Sequence, residues 1–72
     1  MSLSMGEKIK VILKRRSMTL GDLAKKTGQS RQNLSNKISR DNFTEKDLHT
    51  IAEALGCTYT ASFIMKDTGE VI

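Results

Sequence analysis

The sequence predicts a mainly α domain: four short helices followed by a C-terminal β-strand or hairpin. Three observations lead there. Apolar residues recur at three- and four-residue intervals from Met5 to Leu55, the spacing of amphipathic helices. Hydroxyl residues stand at the N-cap position ahead of each run: Ser4, Thr19, Ser30 and Thr44. After Gly56 the period falls to two, and β-branched and aromatic residues take over.

A chain of 72 residues holds one domain with one small core. With 38% hydrophobic residues and no Trp or Pro, that core must be built from Leu, Ile, Val and Met. Domains of this size have a thin stability margin and commonly add a disulfide, a metal or a second subunit. The single cysteine, Cys57, excludes an internal disulfide, and Cys57 with the lone His49 makes no recognisable zinc site. A second copy of the chain is the remaining aid, and neither metal nor cofactor is expected. No apolar run approaches the roughly 20 residues that cross a bilayer. A cytoplasmic protein is the simplest expectation.

Ser4 and Glu7 are spaced as a capping box, followed by Met5, Ile9, Ile12, Leu13 and Arg16 on one face of a helix over about 5–16. The residues ahead of Met5, which follow a first methionine, are expected to be disordered or an artificial extension. Ser17 and Met18 break the pattern. Thr19 then caps a second helix that carries Leu20, Leu23, Ala24 and Thr27 on one face and ends at Gly28. Ser30 caps a third, running to about Ile38. Thr44 caps a fourth, with Asp47 in its first turn, Phe43 and Leu48 at hydrophobic-staple spacing, and a stripe of Leu48, Ile51, Ala52 and Leu55 up to Gly56. Beyond it, Tyr59, Ala61, Phe63 and Met65 would share one face of a strand over 58–65. A turn at 66–69 would bring Glu70, Val71 and Ile72 back alongside.

Charge divides the chain. Residues 1–40 hold ten basic residues against two acids, and residues 41–72 hold two against six. The net charge of +4 is therefore +8 in the first part and −4 in the second, a distribution that turns one half toward a polyanion. No basic segment has the aromatic face of an interfacial membrane helix, so nucleic acid is the better partner. No carboxylate pair, Ser-His-Asp set or phosphate-binding glycine loop can be assembled, which argues against an enzyme. No small-molecule ligand is evident either.

Two helices separated only by Gly28 and Gln29 must meet steeply, in a helix-turn-helix arrangement. Small Ala24 permits close approach, Gly28 supplies the turn, and Leu34 and Ile38 fix the second helix to the core. The stretch T-L-G-D-L-A-K-K-T-G-Q-S-R-Q-N-L-S-N-K-I over 19–38, with I-A-E-A-L-G over 51–56, resembles the Cro/Xre group of lambda-repressor-like helix-turn-helix proteins. The similarity covers about residues 5–56.

That resemblance implies a recognition helix, Ser30–Ile38, in the DNA major groove, with bases read by its first turns. Here those positions are Arg31, Gln32, Ser35 and Asn36. At about 100° per residue, Gln32 and Asn36 point almost directly away from Leu34. Arg can pair bidentately with guanine, and Gln or Asn with adenine. Phosphate contacts are expected around this strip. The amides beside Ser30 form an anion site. The resemblance adds Thr19 and Leu20 at the start of the second helix, and Lys37, Ser39, Arg40 and Asn42 after the third. Asn33 borders the strip, and Lys14, Arg15 and Arg16 join on charge alone.

The run Ile38-Ser-Arg-Asp-Asn42 departs from the aromatic-acidic-Asn-Gly ending of many members. The strand-like tail is closer to Cro than to members with a fifth helix, and in Cro-like proteins such a strand mediates dimerisation. Tyr59, Ala61, Phe63 and Met65 are accordingly expected either at a dimer contact or packed on the fourth helix. Together these readings imply a bacterial or phage transcriptional regulator, a repressor binding a pseudo-palindromic operator as a homodimer. The rivals are an antitoxin-like or adaptor module that binds a protein through 57–72, and a nucleic-acid binder without sequence preference.

Overall fold

The computed structural model describes residues 3–72. Four helices follow in the expected order: α1 (Met5–Arg15), α2 (Leu20–Lys26), α3 (Arg31–Arg40) and α4 (Glu45–Ala54). Each begins at the hydroxyl residue that the sequence marks. In α1, α2 and α4 the cap is reciprocal, with Glu7, Asp22 and Asp47 bonded back to the backbone of Ser4, Thr19 and Thr44. Ser30 accepts from the Asn33 amide without such an acid. Of the four residues expected to lie outside the domain, Ser4 is part of the α1 cap, while Met1 and Ser2 lie outside the described residues.

All four helices end in the same way. One residue enters the left-handed region, and the amide after it reaches back to close the last turn. The pairs are Met18 to Leu13, Gln29 to Ala24, Asn42 to Lys37 and Cys57 to Ala52, at 2.8–3.0 Å. Gly28 and Gly56 fill two of the left-handed positions, as their sequence positions suggest. Ser17 (φ 54°) and Asp41 (φ 51°) fill the others. This corrects two boundaries: α1 stops at Arg15, and α3 continues to Arg40, two residues past its last apolar residue.

The core is Ile9, Leu13, Leu23, Ala24, Leu34, Ile51 and Leu55, contributed by all four helices, with Leu23 and Leu34 wholly buried. Met5, Ile12, Leu20, Ile38, Phe43 and Cys57 pack around it half-buried. The start of α1 rests on the end of α3 so closely that a methyl group at Gly6 would sit 2.8 Å from the Ile38 carbonyl oxygen. Gly6 N–H donates to Asp41 Oδ1 at 2.8 Å. One residue thus ends α3 and satisfies an orphan amide of α1.

The expected C-terminal strand or hairpin is not formed. Among the described residues there is no strand, only an isolated antiparallel bridge between Ile64 and Val71. Phe63 and Ile72 exchange backbone bonds at 2.8 and 3.2 Å, and Met65 N–H donates to Glu70 at 2.8 Å. Beyond those few residues the extended segment 58–62 has no neighbouring chain to pair with. A two-stranded ribbon without a packed face is marginal, and this one has none: Phe63 is 80% exposed and Ile64 66%. Period-two patterning reports a preference for extended backbone, and a strand also requires a partner. Tyr59 alone of the expected face packs on α4, its ring edge-on to His49 with centroids 5.4 Å apart. Ala61, Phe63 and Met65 stay exposed, and Ala61 and Phe63 line an open groove with Glu45 and Leu48 of α4.

Candidate nucleic-acid interface

The turn between α2 and α3 is built from polar side chains as much as from Gly28. Thr27 Oγ1 lies 2.9 Å from the Leu23 carbonyl and accepts from Gln29 Nε2 at 3.0 Å. Gln29 Oε1 in turn accepts from Asn33 Nδ2 at 3.1 Å. This chain runs from the last turn of α2 to the first turn of α3 and fixes the angle between them. Thr27 looks like the end of an amphipathic stripe, and Gln29 like a loop residue. Only the spacings, two residues from Thr27 to Gln29 and four from Gln29 to Asn33, hint at the relay.

On the far side of α3 from Leu34, Arg31, Gln32 and Asn36 are exposed, and Ser35 is half-buried beside them. Gln32 Nε2 donates to Asn36 Oδ1 at 3.2 Å. Arg31 leans toward α2: a methyl group on Gly21 would come within 3.8 Å of its Cδ. The four expected base-reading residues are therefore brought together on one turn-and-a-half of helix. No acid lies in α3. The first amides of this helix have no intrahelical acceptor, and its positive end favours an anion.

The expected phosphate ligands fall into groups. Ser30, Ser39, Arg40 and Asn42 are exposed. Arg40 and Asn42 line an open polar groove between α3 and α4, together with Asn33, Asn36, Lys37, Thr44 and Asp47. Within it, Lys37 Nζ is held 3.0 Å from Asp47 Oδ1, with both side chains about a quarter exposed. The Thr44 backbone N–H, then the Lys37 ammonium, keep the Asp47 carboxyl below the ordinary aspartate range. Lys37 is thus committed to an ion pair, and Asn33 to Gln29.

At the start of α2, Leu20 is half-buried against the core, and Thr19 is engaged with Asp22. Bonds from the Thr19 backbone and hydroxyl lower the Asp22 pKa. That end of α2 therefore carries a carboxylate, unlike the start of α3. Lys14 and Arg15 are exposed in the last turn of α1. Arg16 is turned elsewhere, its Nη2 donating to the Gly56 carbonyl at 3.3 Å. There it supplies the basic group that the last turn of α4 lacks.

Sequence reading did not find Gly6 and Asp41, which hold the end of α3 against α1. The signals available were a glycine inside the first turn of a helix, where it weakens helix propensity, and an Asp-Asn pair, which tolerates left-handed backbone.

No group of His, Cys, Asp and Glu among the described residues has the arrangement of a metal site, and none of the described helices is long and apolar enough to cross a membrane. The model of the Cro/C1-type HTH DNA-binding domain matches residues 8–60, covering α2, α3 and α4 and most of α1. No curated protein and no solved structure is similar enough to extend that match. With the packed α2–α3 pair joined by the short turn 27–30, the buried Leu34 and the acid-free α3 in agreement, the chain belongs to the Cro/C1-type helix-turn-helix DNA-binding domain family.

Proposed function

We propose that this protein is a sequence-specific DNA-binding transcriptional regulator. It places α3 in the major groove and represses by occupying an operator that overlaps a promoter. The observation that carries the reading is the outer face of α3. Arg31, Gln32 and Asn36 are exposed there on a helix anchored by a wholly buried Leu34, with no acid on that helix. Arg31 is suited to guanine, Gln32 and Asn36 to donor and acceptor edges, and Ser35 to a secondary contact. Phosphates would be held by the amides beside Ser30 and by Ser39, Arg40 and Asn42. Lys14, Arg15, Thr19, Leu20 and Asn33 lie further out, Lys37 would have to leave Asp47 to join them, and Arg16 would have to leave Gly56.

The protein would act as a homodimer on a pseudo-palindromic site, with half-sites about one helical turn apart. Support comes from the tail, where Phe63, Ile64, Val71 and Ile72 are each more than 60% exposed. Apolar groups so placed are ordinarily covered in an assembly. The unpaired backbone over 58–62 also favours a second reading, in which an extended segment of another protein adds alongside the tail.

Selection of binding sites from random duplex DNA tests the main reading. It should return a two-fold symmetric consensus, whereas recovery of unrelated sequences, even at low salt, would exclude specific recognition. Sedimentation at increasing concentration tests the dimer. A monomer at high micromolar concentration that still binds two-fold DNA in pairs would place assembly on the operator.

A further inference from the structure

The hydrogen bond between Gln32 and Asn36 has a consequence for how α3 reads DNA. Both amides stand on the outer face one turn apart, and Gln32 Nε2 donates to Asn36 Oδ1 at 3.2 Å. We propose that Gln32 and Asn36 form a single coupled reading unit, in which the bond between them decides which groups each presents to the bases. This rests on the assignment of α3 as the recognition helix.

A primary amide carries two N–H donors and one oxygen that accepts through two lone pairs, and a bond to that oxygen fixes the direction in which the amide faces. The mutual bond uses one donor of Gln32 and engages the oxygen of Asn36. Gln32 therefore presents one acceptor and one donor, the complement of adenine N6–H and N7. Asn36, with its oxygen turned toward Gln32, presents chiefly its N–H donors, which suit acceptor edges: guanine N7 and O6, or thymine O4. Neither amide has another side-chain partner among the described residues to orient it. Asn33, one residue along, is held by Gln29 instead, on the side facing α4. Asn33 lines one open groove with Asn36, but one of its donors is already engaged by Gln29.

The coupling makes the two positions interdependent. Without the Asn36 oxygen, Gln32 is free to rotate and present two donors. Without the Gln32 donor, the Asn36 oxygen is released and Asn36 can itself take adenine. Each single substitution should therefore alter the preference at both base pairs, not at its own alone.

Site selection on random DNA with the full chain, its Q32A, N36A and Q32A/N36A variants, and N36D reads this directly. Both positions are exposed and alanine favours helix, so circular dichroism should show the fold unchanged. The wild type should prefer adenine at one position and an acceptor-bearing base beside it, each by about tenfold. N36A should flatten both positions. N36D keeps the acceptor for Gln32 while removing the donors, so it should retain the adenine and shift the neighbouring base toward cytosine. Single variants that each flatten one base pair and leave the other at its wild-type preference would overturn the coupling while leaving specific binding intact. A wild type with no sequence preference would overturn the coupling and the DNA-reading assignment together.

Discussion

Helices α3 and α4 are both ten residues long and both start at a hydroxyl cap, Ser30 and Thr44. Each meets the core through a short apolar edge: Leu34 and Ile38 in α3, Ile51 and the following Leu55 in α4. Their outer surfaces differ completely. That of α4 carries Glu45, Lys46, His49 and Glu53, a mixture of signs that serves solubility, and its first turn is acidic. That of α3 carries Arg31, Gln32, Asn33 and Asn36 and has no acid. Two or three buried contacts are enough to place a helix in a domain this small. What remains exposed is free to be chosen for another purpose, and in α3 it consists of side chains that form directed hydrogen bonds.

If the two helices owe the same to the core, they should fail alike when it is cut. L34A and I51A should each cost about 2–5 kcal/mol, most of the stability available to a domain of this size. Urea unfolding would read this, and a mild L34A would mean that α3 is held by its polar relay instead.

The next effect concerns how the helices end. Asp41 closes α3 and accepts from the Gly6 amide at the start of α1, whereas Gly56 closes α4 and accepts from the Arg16 side chain at the end of α1. G6A must push against the Ile38 backbone and should cost about 1–3 kcal/mol. D41A loses the acceptor for Gly6 and puts alanine in the left-handed region, for about 1–3 kcal/mol. D41N, which tolerates that backbone and keeps an acceptor, should cost less than half as much. Equal losses for D41A and D41N would show that the carboxylate charge itself is needed.

The third prediction separates the outer faces. R31A should leave the unfolding midpoint within experimental error and reduce discrimination among DNA sites by about 1–3 kcal/mol. E53A, at an exposed position of α4, should change neither. Loss of DNA discrimination in E53A would mean that α4 takes part in reading.

The smallest effect is on acid stability. Hydrogen bonds from Thr44, and then Lys37, hold Asp47 below the ordinary aspartate value. Its folded pKa is depressed, so its contribution is fully present above the unfolded value of about 3.9 and is lost as pH falls through the folded value. Thermal midpoints should therefore be flat down to about pH 5 and fall below about pH 4, with D47N less sensitive than wild type. The start of α3, which has no acid, should not contribute to that slope.

The helices were legible because their signals are local. A hydroxyl followed three residues later by an acid marks three of the four starts, and glycine marks two of the four ends. Ser17 and Asp41 close the other two ends; the break at Ser17 was legible, but the left-handed backbone of both was not, since it is stabilised by surroundings that the local pattern does not carry. On α3, the 100° repeat was enough to place Gln32 and Asn36 opposite Leu34. It could not show that Lys37 turns to Asp47, Arg16 to Gly56, or Asn33 to Gln29. Those partners are separated by ten residues, forty residues, and one helical turn with a helix boundary between. The tail misled for a related reason: Tyr59 to Met65 alternate as a strand does, but pairing depends on a neighbour that a single chain did not supply.

The central claim is that the outer face of α3 reads DNA sequence. It is tested most directly by competition between a selected operator and a scrambled duplex, using wild type and the R31A/Q32A double variant at one fixed salt concentration. Wild type should favour the operator by a factor of about 10³ or more. The double variant, with an unchanged unfolding midpoint, should lose most of that preference and retain its affinity for the scrambled duplex. A double variant that keeps the wild-type preference would contradict the account.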